Sequence, residues 1–454
     1  MMWETTWNIA PWGSRFAILR SVNSTGLDKE SEMMNTTQTA CRNFGAGFRS
    51  ILLTAFLAIG AHAQTYSVIH TFSGATDGGN PYAGVMLDRA GNLYGSAFYG
   101  GNATCNYPWG CGLIYKLKRQ GSGWILQPLR SFGQGDTLFP MAQPVFGPEG
   151  SLYGTTTAGG GTTGAVLKFQ PSSIICRMVS CPWTELNLHY FGNGSDGADP
   201  AYGALSFDAA GNGYGTTMTG GTERVGTVYM LQSGDPGRES VLYNFRSNEN
   251  GYWPYAGVTL DNDGNIYGVT EYPYGTVFKL TRNGTGWTET LLHDFSGEDA
   301  YNPMGALTFD AAGNLYGTTA NGGPDGGGTV FELTPTGPRW ILETIHAFSY
   351  MGAFNPAGPT SKLAIDSAGN LYGTTYAAGA NNRGSVFKLT PSSQGWIFTS
   401  LYDFTGGTDG GEPWGGVTID SSGNLYGTTL YGGTSQTGCN DGYGCGVIWE
   451  ITPE

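Results

Sequence analysis

One short phrase, Asn-Leu-Tyr-Gly or a close variant, occurs seven times along this 454-residue chain. Its tyrosines are Tyr94, Tyr153, Tyr214, Tyr267, Tyr316, Tyr372 and Tyr426, spaced by 49 to 61 residues. A recurrence at that period marks a repeat architecture, in which each unit buries its faces against its neighbours. The stretch 257–295 shows the unit well. Gly257 to Asp261 reads as a first strand, and Asn262 to Gly264 as a tight turn. Asn265 to Thr270, Gly275 to Leu280 and Trp287 to Phe295 read as three further strands. β-Branched and aromatic residues fill these runs while Gly, Asn and Pro punctuate them, the pattern of short antiparallel strands. Four strands in such a unit make a propeller blade.

The two ends complete the count. Tyr66 to Phe72 is a fourth strand with no unit before it, and Gly446 to Ile451 is a third strand with none after it. Pairing them closes a seventh blade and covers two bare edges. The expected fold is therefore all-β: a seven-bladed β-propeller of four-stranded antiparallel blades over residues 64–454. Composition agrees, with 76 glycines, 13% aromatic residues and only 12% charged residues. Gly does not recur every third residue, which excludes collagen, and the aromatic content excludes a flexible linker. Few Lys, Glu and Ala remain to fill the solvent faces of long helices. A formal charge of −14 repels phosphate backbones and anionic lipid surfaces, so neither nucleic acid nor membrane insertion is expected.

Ahead of the repeats, an apolar run from Ile51 to Ile59 follows Arg42 and Arg49 and ends in Ala61-His62-Ala63. A basic flank, a short apolar core and a small-x-small site describe a Sec-type signal peptide over 33–63, cut before Gln64. Residues 1–32 are then an untranslated or disordered extension, with Met33 or Met34 as the expected start. Beyond the signal the cysteines fall in three close pairs: Cys105 with Cys111, Cys176 with Cys181, and Cys439 with Cys445. In an exported chain this spacing reads as three local disulfides. Zinc is the rival, but no His stands near any pair and the spacings differ from those of a zinc knuckle.

Most repeated polar residues read as structural. Asp88, Asp208, Asp261, Asp310, Asp366 and Asp420 end the first strands, with Gly147 in the second unit. In D-x-x-G-N the carboxylate can accept turn N–H groups while Gly supplies a positive φ. His70, His189, His293 and His346 occupy one fourth-strand position, two residues before a Phe, and cannot gather on one metal. Trp124, Trp183, Trp287, Trp340 and Trp396 precede that Phe by eight residues, on the face that packs against a neighbouring blade. Lys116, Lys168, Lys279 and Lys388 share one third-strand position and make no basic patch. Gly192 to Gly197 fits G-x-G-x-x-G, but no helix follows, so nothing there would hold a pyrophosphate.

A ligand site is expected where two sets of loops meet. Strand alternation puts the loops after the second and fourth strands on one face. Those loops carry Asp77, Asp196, Asp199, Asp299 and Asp409, with Tyr82, Trp253, Tyr255 and Trp414 nearby and typically beside a Pro. Rings beside carboxylates suit sugar, amine or calcium binding. The same residues also read as turn formers and packing rings. No cofactor is expected, calcium being the one possible exception.

The unit x-P-x-x-G-(V/L)-x-x-D-x-x-G-N-L-Y-G-T-T, followed by G-(T/S)-V-F-K-L-T-P, resembles the GloVer tandem repeat of bacterial choice-of-anchor proteins. The resemblance spans 66–454 and implies export, often with a C-terminal sorting anchor. This chain stops at Glu454, just past its last strand, so a soluble product, extracellular or periplasmic and monomeric, is the expectation. The resemblance carries no activity or catalytic residue. The functional expectation is a secreted module that binds an extracellular polysaccharide or protein. The alternatives are a lyase or hydrolase using loop carboxylates, with Asp196, Asp199, Asp409 and Glu412 the first to test, or a structural surface protein.

Overall fold

The computed structural model describes residues 64–453 apart from 102–104, 106–108, 160, 172–182, 201, 236–237, 248–250, 350–357, 436–438 and 440–441. The expected signal peptide over 33–63, the expected extension over 1–32 and the expected Cys176–Cys181 disulfide lie outside the described residues.

Seven four-stranded antiparallel sheets follow one another along the chain. Blades 1 to 6 occupy residues 86–131, 145–190, 206–244, 259–294, 308–349 and 364–403. Blade 7 combines Thr418–Ile419, Leu425–Thr429 and Val447–Thr452 with the N-terminal strand Thr65–Thr71. That strand lies antiparallel to the last one, Thr65 opposite Thr452 and Thr71 opposite Val447, so the ring closes as the ends of the sequence require.

The core lies between blades, because each sheet presents apolar residues on both faces. One buried cluster joins Tyr214, Val228 and Phe245 of blade 3 to Val258, Ile266, Phe278 and Leu280 of blade 4. The outer tryptophans seal these interfaces. Trp183 sits 6.0 Å from Tyr94 of the preceding blade, Trp340 6.1 Å from Tyr267, and Trp396 5.7 Å from Tyr316. Trp124 closes the circle against Tyr426 at 6.1 Å. In every blade but the second, the Gly after the repeated Tyr is required by close approach: a Cβ on Gly268 would stand 2.5 Å from the Phe278 ring.

The first strands are shorter than the sequence pattern implies. Gly257 to Asp261 narrows to Thr259–Leu260. The residues before it spend their carbonyls on adjacent blades. Val258 O accepts from Ser206 Oγ at 2.5 Å, and Ala256 O accepts from Thr216 Oγ1 at 2.8 Å. Thr259 Oγ1 in turn donates to Leu307 O of blade 5 at 2.6 Å. Hydrogen bonding here runs around the ring and not along the blade.

The D-x-x-G-N turns form as expected. Asp261 accepts from Asp263 N, Asn265 N and Asn265 Nδ2 at 3.0, 2.8 and 2.7 Å, and from Tyr267 Oη at 3.0 Å. Blade 2, which has Gly147 in that place, recovers a carboxylate from Glu149. Glu149 accepts from Tyr153 Oη and pairs with Lys168 at 3.1 Å. The third-strand lysines lie over the same tyrosines: Lys116 is 5.1 Å from Tyr94 and Lys279 is 5.2 Å from Tyr267. Where that position is Glu332 or Glu450, the tyrosine hydroxyl donates to it instead, at 3.1 and 2.9 Å.

Candidate functional site

In six of the blades, among the described residues, the loop entering the blade is tied to the loop leaving its second strand. Gly79 pairs with Tyr99, Ala198 with Thr219, Tyr252 with Tyr272, and Gly411 with Tyr431. Both loop sets therefore share one face, as strand alternation demands.

Beyond each bridge, the residue before a proline takes a left-handed backbone. Asn80, Phe139, Asp199, Trp253, Asn302 and Glu412 have φ between 51 and 61°. Their amides reach back to the preceding blade, as Trp253 N does to Val225 O at 3.0 Å, while their carbonyls serve their own. The proline then packs on the glycine that opens the preceding blade's third strand. A Cβ on Gly226, whose φ is +108°, would lie 2.6 Å from Pro254 Cδ. This wedge aims the following residues at the inner mouth of the ring, next to the first strands.

Six residues before the end of each first strand, the mouth carries Tyr82, Met141, Tyr202, Tyr255, Met304, Thr360 and Trp414. The rings touch. Tyr202 stacks on Tyr255 with centroids 4.1 Å apart, and Tyr82 meets Trp414 at 6.3 Å. Tyr376 meets Trp414 at 5.1 Å, and Phe98 meets Tyr82 at 5.1 Å. Burial raises the Tyr255 phenol well above its ordinary pKa, with Tyr202, Glu271 and Tyr82 adding to it. Tyr82 belongs to blade 1 and Tyr255 to blade 4, so these groups converge near the axis. Two positions further along, five blades carry Gly or Ala, leaving Gln143 and Lys362 as the larger side chains. Burial holds the Lys362 ammonium below its usual pKa.

Three carboxyls flank this collar. Glu412 is 6% exposed and accepts from Tyr376 Oη at 2.8 Å and Arg383 Nη1 at 2.7 Å. Burial raises the pKa of Glu271. Burial also raises that of Asp199, against the opposing hydrogen bond from Thr219 at 2.7 Å. The charges of Asp199 and Glu271 both reach Tyr202. Aromatic faces, hydroxyls and partly desolvated carboxyls are the donors and acceptors that a sugar ring uses.

The nine residues singled out from sequence divide between two places. Tyr82, Asp199, Trp253, Tyr255 and Trp414 lie at the wedge or the collar. Asp77, Asp196, Asp299 and Asp409 lie farther out, where each caps its own loop. Asp299 accepts from Ser296 N at 2.9 Å and His293 Nε2 at 2.8 Å; Asp409 accepts from Thr405 N at 2.8 Å and Tyr402 Oη at 3.1 Å. Asp196 meets His189 at 3.2 Å and Asp77 meets His70 at 3.2 Å, so fourth-strand histidines anchor these loops. Among the described residues, no three His, Cys, Asp or Glu side chains gather as a metal-ion set. Sequence reasoning missed Glu271, Tyr376 and Phe98. They follow the second strand, where other blades have Thr157, Met218, Ala320 and Leu430, and that departure from the repeat was their only signal. Disulfides link Cys105 to Cys111 and Cys439 to Cys445, with Cα atoms 5.9 and 5.4 Å apart.

No curated protein is similar in sequence. Among solved structures, the extracellular domain of a protein described as a hybrid two component system from B. thetaiotaomicron is similar. It has a TM-score of 0.51 and 11% identity, over 85% of this chain and 39% of that one. A second structure of that domain, described as part of a one component system, gives 0.51, 11%, 84% and 39%. A protein described as a 6-phosphogluconolactonase from Bacteroides uniformis gives 0.46 and 15%, over 69% of this chain and 84% of that one. The first two likenesses show the propeller fold alone, and this chain spans 39% of the first protein's length. The Gloeobacter/Verrucomicrobia repeat matches residues 55–272, 173–349 and 270–454. With the blade unit recurring throughout the ring, the chain belongs to the Gloeobacter/Verrucomicrobia repeat family.

Proposed function

We propose that the protein is an exported binding module that holds an extracellular polysaccharide at the mouth of its ring. The observation that carries this reading is the convergence of Tyr82, Tyr202, Tyr255, Tyr376 and Trp414 beside Asp199, Glu271 and Glu412. Stacked rings bury the flat C–H faces of sugars, and the carboxyls and phenols satisfy hydroxyls that would otherwise lose water. The net charge of −14 favours a neutral polymer over a uronate or sulfated one. Local disulfides support export.

Native affinity electrophoresis of the purified protein in gels containing hydroxyethylcellulose or alginate tests this. Retardation by the neutral polymer is expected, with little by alginate. Trp414→Ala and Tyr255→Ala should each weaken it about tenfold, an anchor-residue effect. No retardation by hydroxyethylcellulose, or collar variants matching the wild type, would refute the reading.

The flanking of Tyr202 by Asp199 and Glu271 supports a second reading, a glycan hydrolase working through two carboxyls. That reading requires new reducing ends to appear on incubation with the polymer, and their loss in Asp199→Asn.

A further inference from the structure

Two loops of this face are copies of each other. Residues 105–111 read Cys-Asn-Tyr-Pro-Trp-Gly-Cys and residues 439–445 read Cys-Asn-Asp-Gly-Tyr-Gly-Cys. Each follows the second strand of its blade, in blades 1 and 7, which the ring closure makes neighbours. Each is closed by its disulfide and, among its described residues, presents a ring to solvent: Trp109 is 38% exposed and Tyr443 is 61% exposed.

The presentation is the same in both. Gly100 N donates to Trp109 O at 2.6 Å, and Gly432 N donates to Tyr443 O at 2.8 Å. Gly110 bridges Gly100, and Gly444 bridges Gly432. Both glycines after the rings are left-handed, with φ of 86 and 93°. Behind each ring stands an equivalent tyrosine, Tyr99 at 6.0 Å from Trp109 and Tyr431 at 5.8 Å from Tyr443. Disulfide, backbone bridge and second ring together hold an exposed aromatic in one orientation, which removes ordering entropy from binding.

From each prong the rings continue toward the axis. Tyr99 meets Phe98 at 4.7 Å, which meets Tyr82 of the collar. On the other side, Tyr431 lies within the electrostatic reach of Tyr376, which meets Trp414. Between blades 6 and 7, Tyr443 and Tyr431 wall a cleft of about 210 Å³ that also contains Arg383 and Glu412. An aromatic wall over a guanidinium–carboxylate pair suits a hydroxyl-rich ring.

We propose that Trp109 and Tyr443 are two outlying subsites for successive parts of one neutral, β-linked polysaccharide chain that also reaches the axial mouth. This rests on the reading of that mouth as a polysaccharide site. A ligand built of repeating units matches a device that repeats from one blade to the next. β-Linked glucose units offer flat C–H faces to both prongs, and the acidic surface disfavours an anionic polymer.

The test compares wild type, Trp109→Ala/Tyr443→Ala and Trp414→Ala in hydroxyethylcellulose gels, with cellotetraose binding measured in parallel by calorimetry. Both prongs are exposed, so the double variant should melt within about one degree of wild type. Its polymer affinity should fall about tenfold or more, because linked subsites multiply. Its cellotetraose affinity should stay within about twofold of wild type, and Trp414→Ala should lose both. Unchanged polymer retardation in the double variant, with loss in Trp414→Ala, would overturn the prong subsites alone. Absence of retardation in the wild type would overturn the polysaccharide reading itself, and the subsites with it.

Discussion

Removing one turn carboxylate tests how the repeat supports itself. Asp261→Ala deletes an acceptor of four hydrogen bonds, from Asp263 N, Asn265 N, Asn265 Nδ2 and Tyr267 Oη. Asp263 is exposed and Asn265 half-buried, so the two freed backbone N–H groups and the Asn265 side-chain amide rehydrate at a cost of about 1 kcal/mol together. Tyr267 is only 3% exposed, and stranding its hydroxyl costs about 1–3 kcal/mol. The sum is about 2–4 kcal/mol. With an unfolding entropy of about 2.1 cal/mol/K per residue over roughly 390 residues, Tm should fall by about 2–5 °C. Differential scanning calorimetry at pH 7 reads this directly. Tyr267→Phe, which keeps the carboxylate, should cost less, and the double variant less than the sum, since the two share one network. A fall below about 1 °C for Asp261→Ala, or full additivity in the double variant, would refute the network account.

Two further outcomes concern pH and closure. Burial opposes ionisation of Asp88, Asp208, Asp261 and Asp366, but their Asn, Tyr and turn N–H donors outweigh it and lower each pKa. A depressed folded pKa gives stability that is present above the unfolded value near 4 and lost as pH falls through the folded one. Glu239 behaves oppositely: burial, reinforced by Asp196, pushes it up to about 7, so its carboxyl weakens the fold as pH rises toward neutrality. Glu239→Gln should therefore raise stability at pH 8 by about 1 kcal/mol, discounted for solvent, and not at pH 5; a gain at both would remove ionisation as the cause. Deleting residues 64–72 should abolish the cooperative melt, because Trp449, Ile451 and Phe404, each 0% exposed, would lose their cover; a sharp transition near the wild-type Tm would disprove strand closure as the lock.

Much of the fold was legible because a repeat writes the same local physics many times. The D-x-x-G-N turn, the tryptophan eight residues before Phe and the strand without a partner at each end all depend on residues close in sequence or at equal positions. Gly147 shows where that reading stops. Only the fold reveals that Glu149, two residues along, takes over the missing carboxylate and draws in Lys168. The outer aspartates carried the same ambiguity. Asp77, Asp196, Asp299 and Asp409 look like ligand-binding carboxylates in sequence, yet local N–H groups and fourth-strand side chains engage each of them.

What the sequence determined by itself is the blade: its strand count, its turn and the closure of seven units through the N-terminal strand. The strand count and the turn follow from patterning within about fifty residues, where hydrophobic alternation and turn chemistry act, and the closure from the one strand left over at each end of the repeats. The tertiary structure alone decided the site. Tyr82, Tyr202, Tyr255 and Trp414 come from four units, and their meeting depends on left-handed residues wedged before proline between adjacent blades. Glu271 and Tyr376 join them from second-strand ends that no local pattern marks. Ring closure also sets the two disulfide-bound aromatic loops side by side, though they stand more than three hundred residues apart in the chain. Convergence around an axis is a property of the whole ring, and no single unit encodes it.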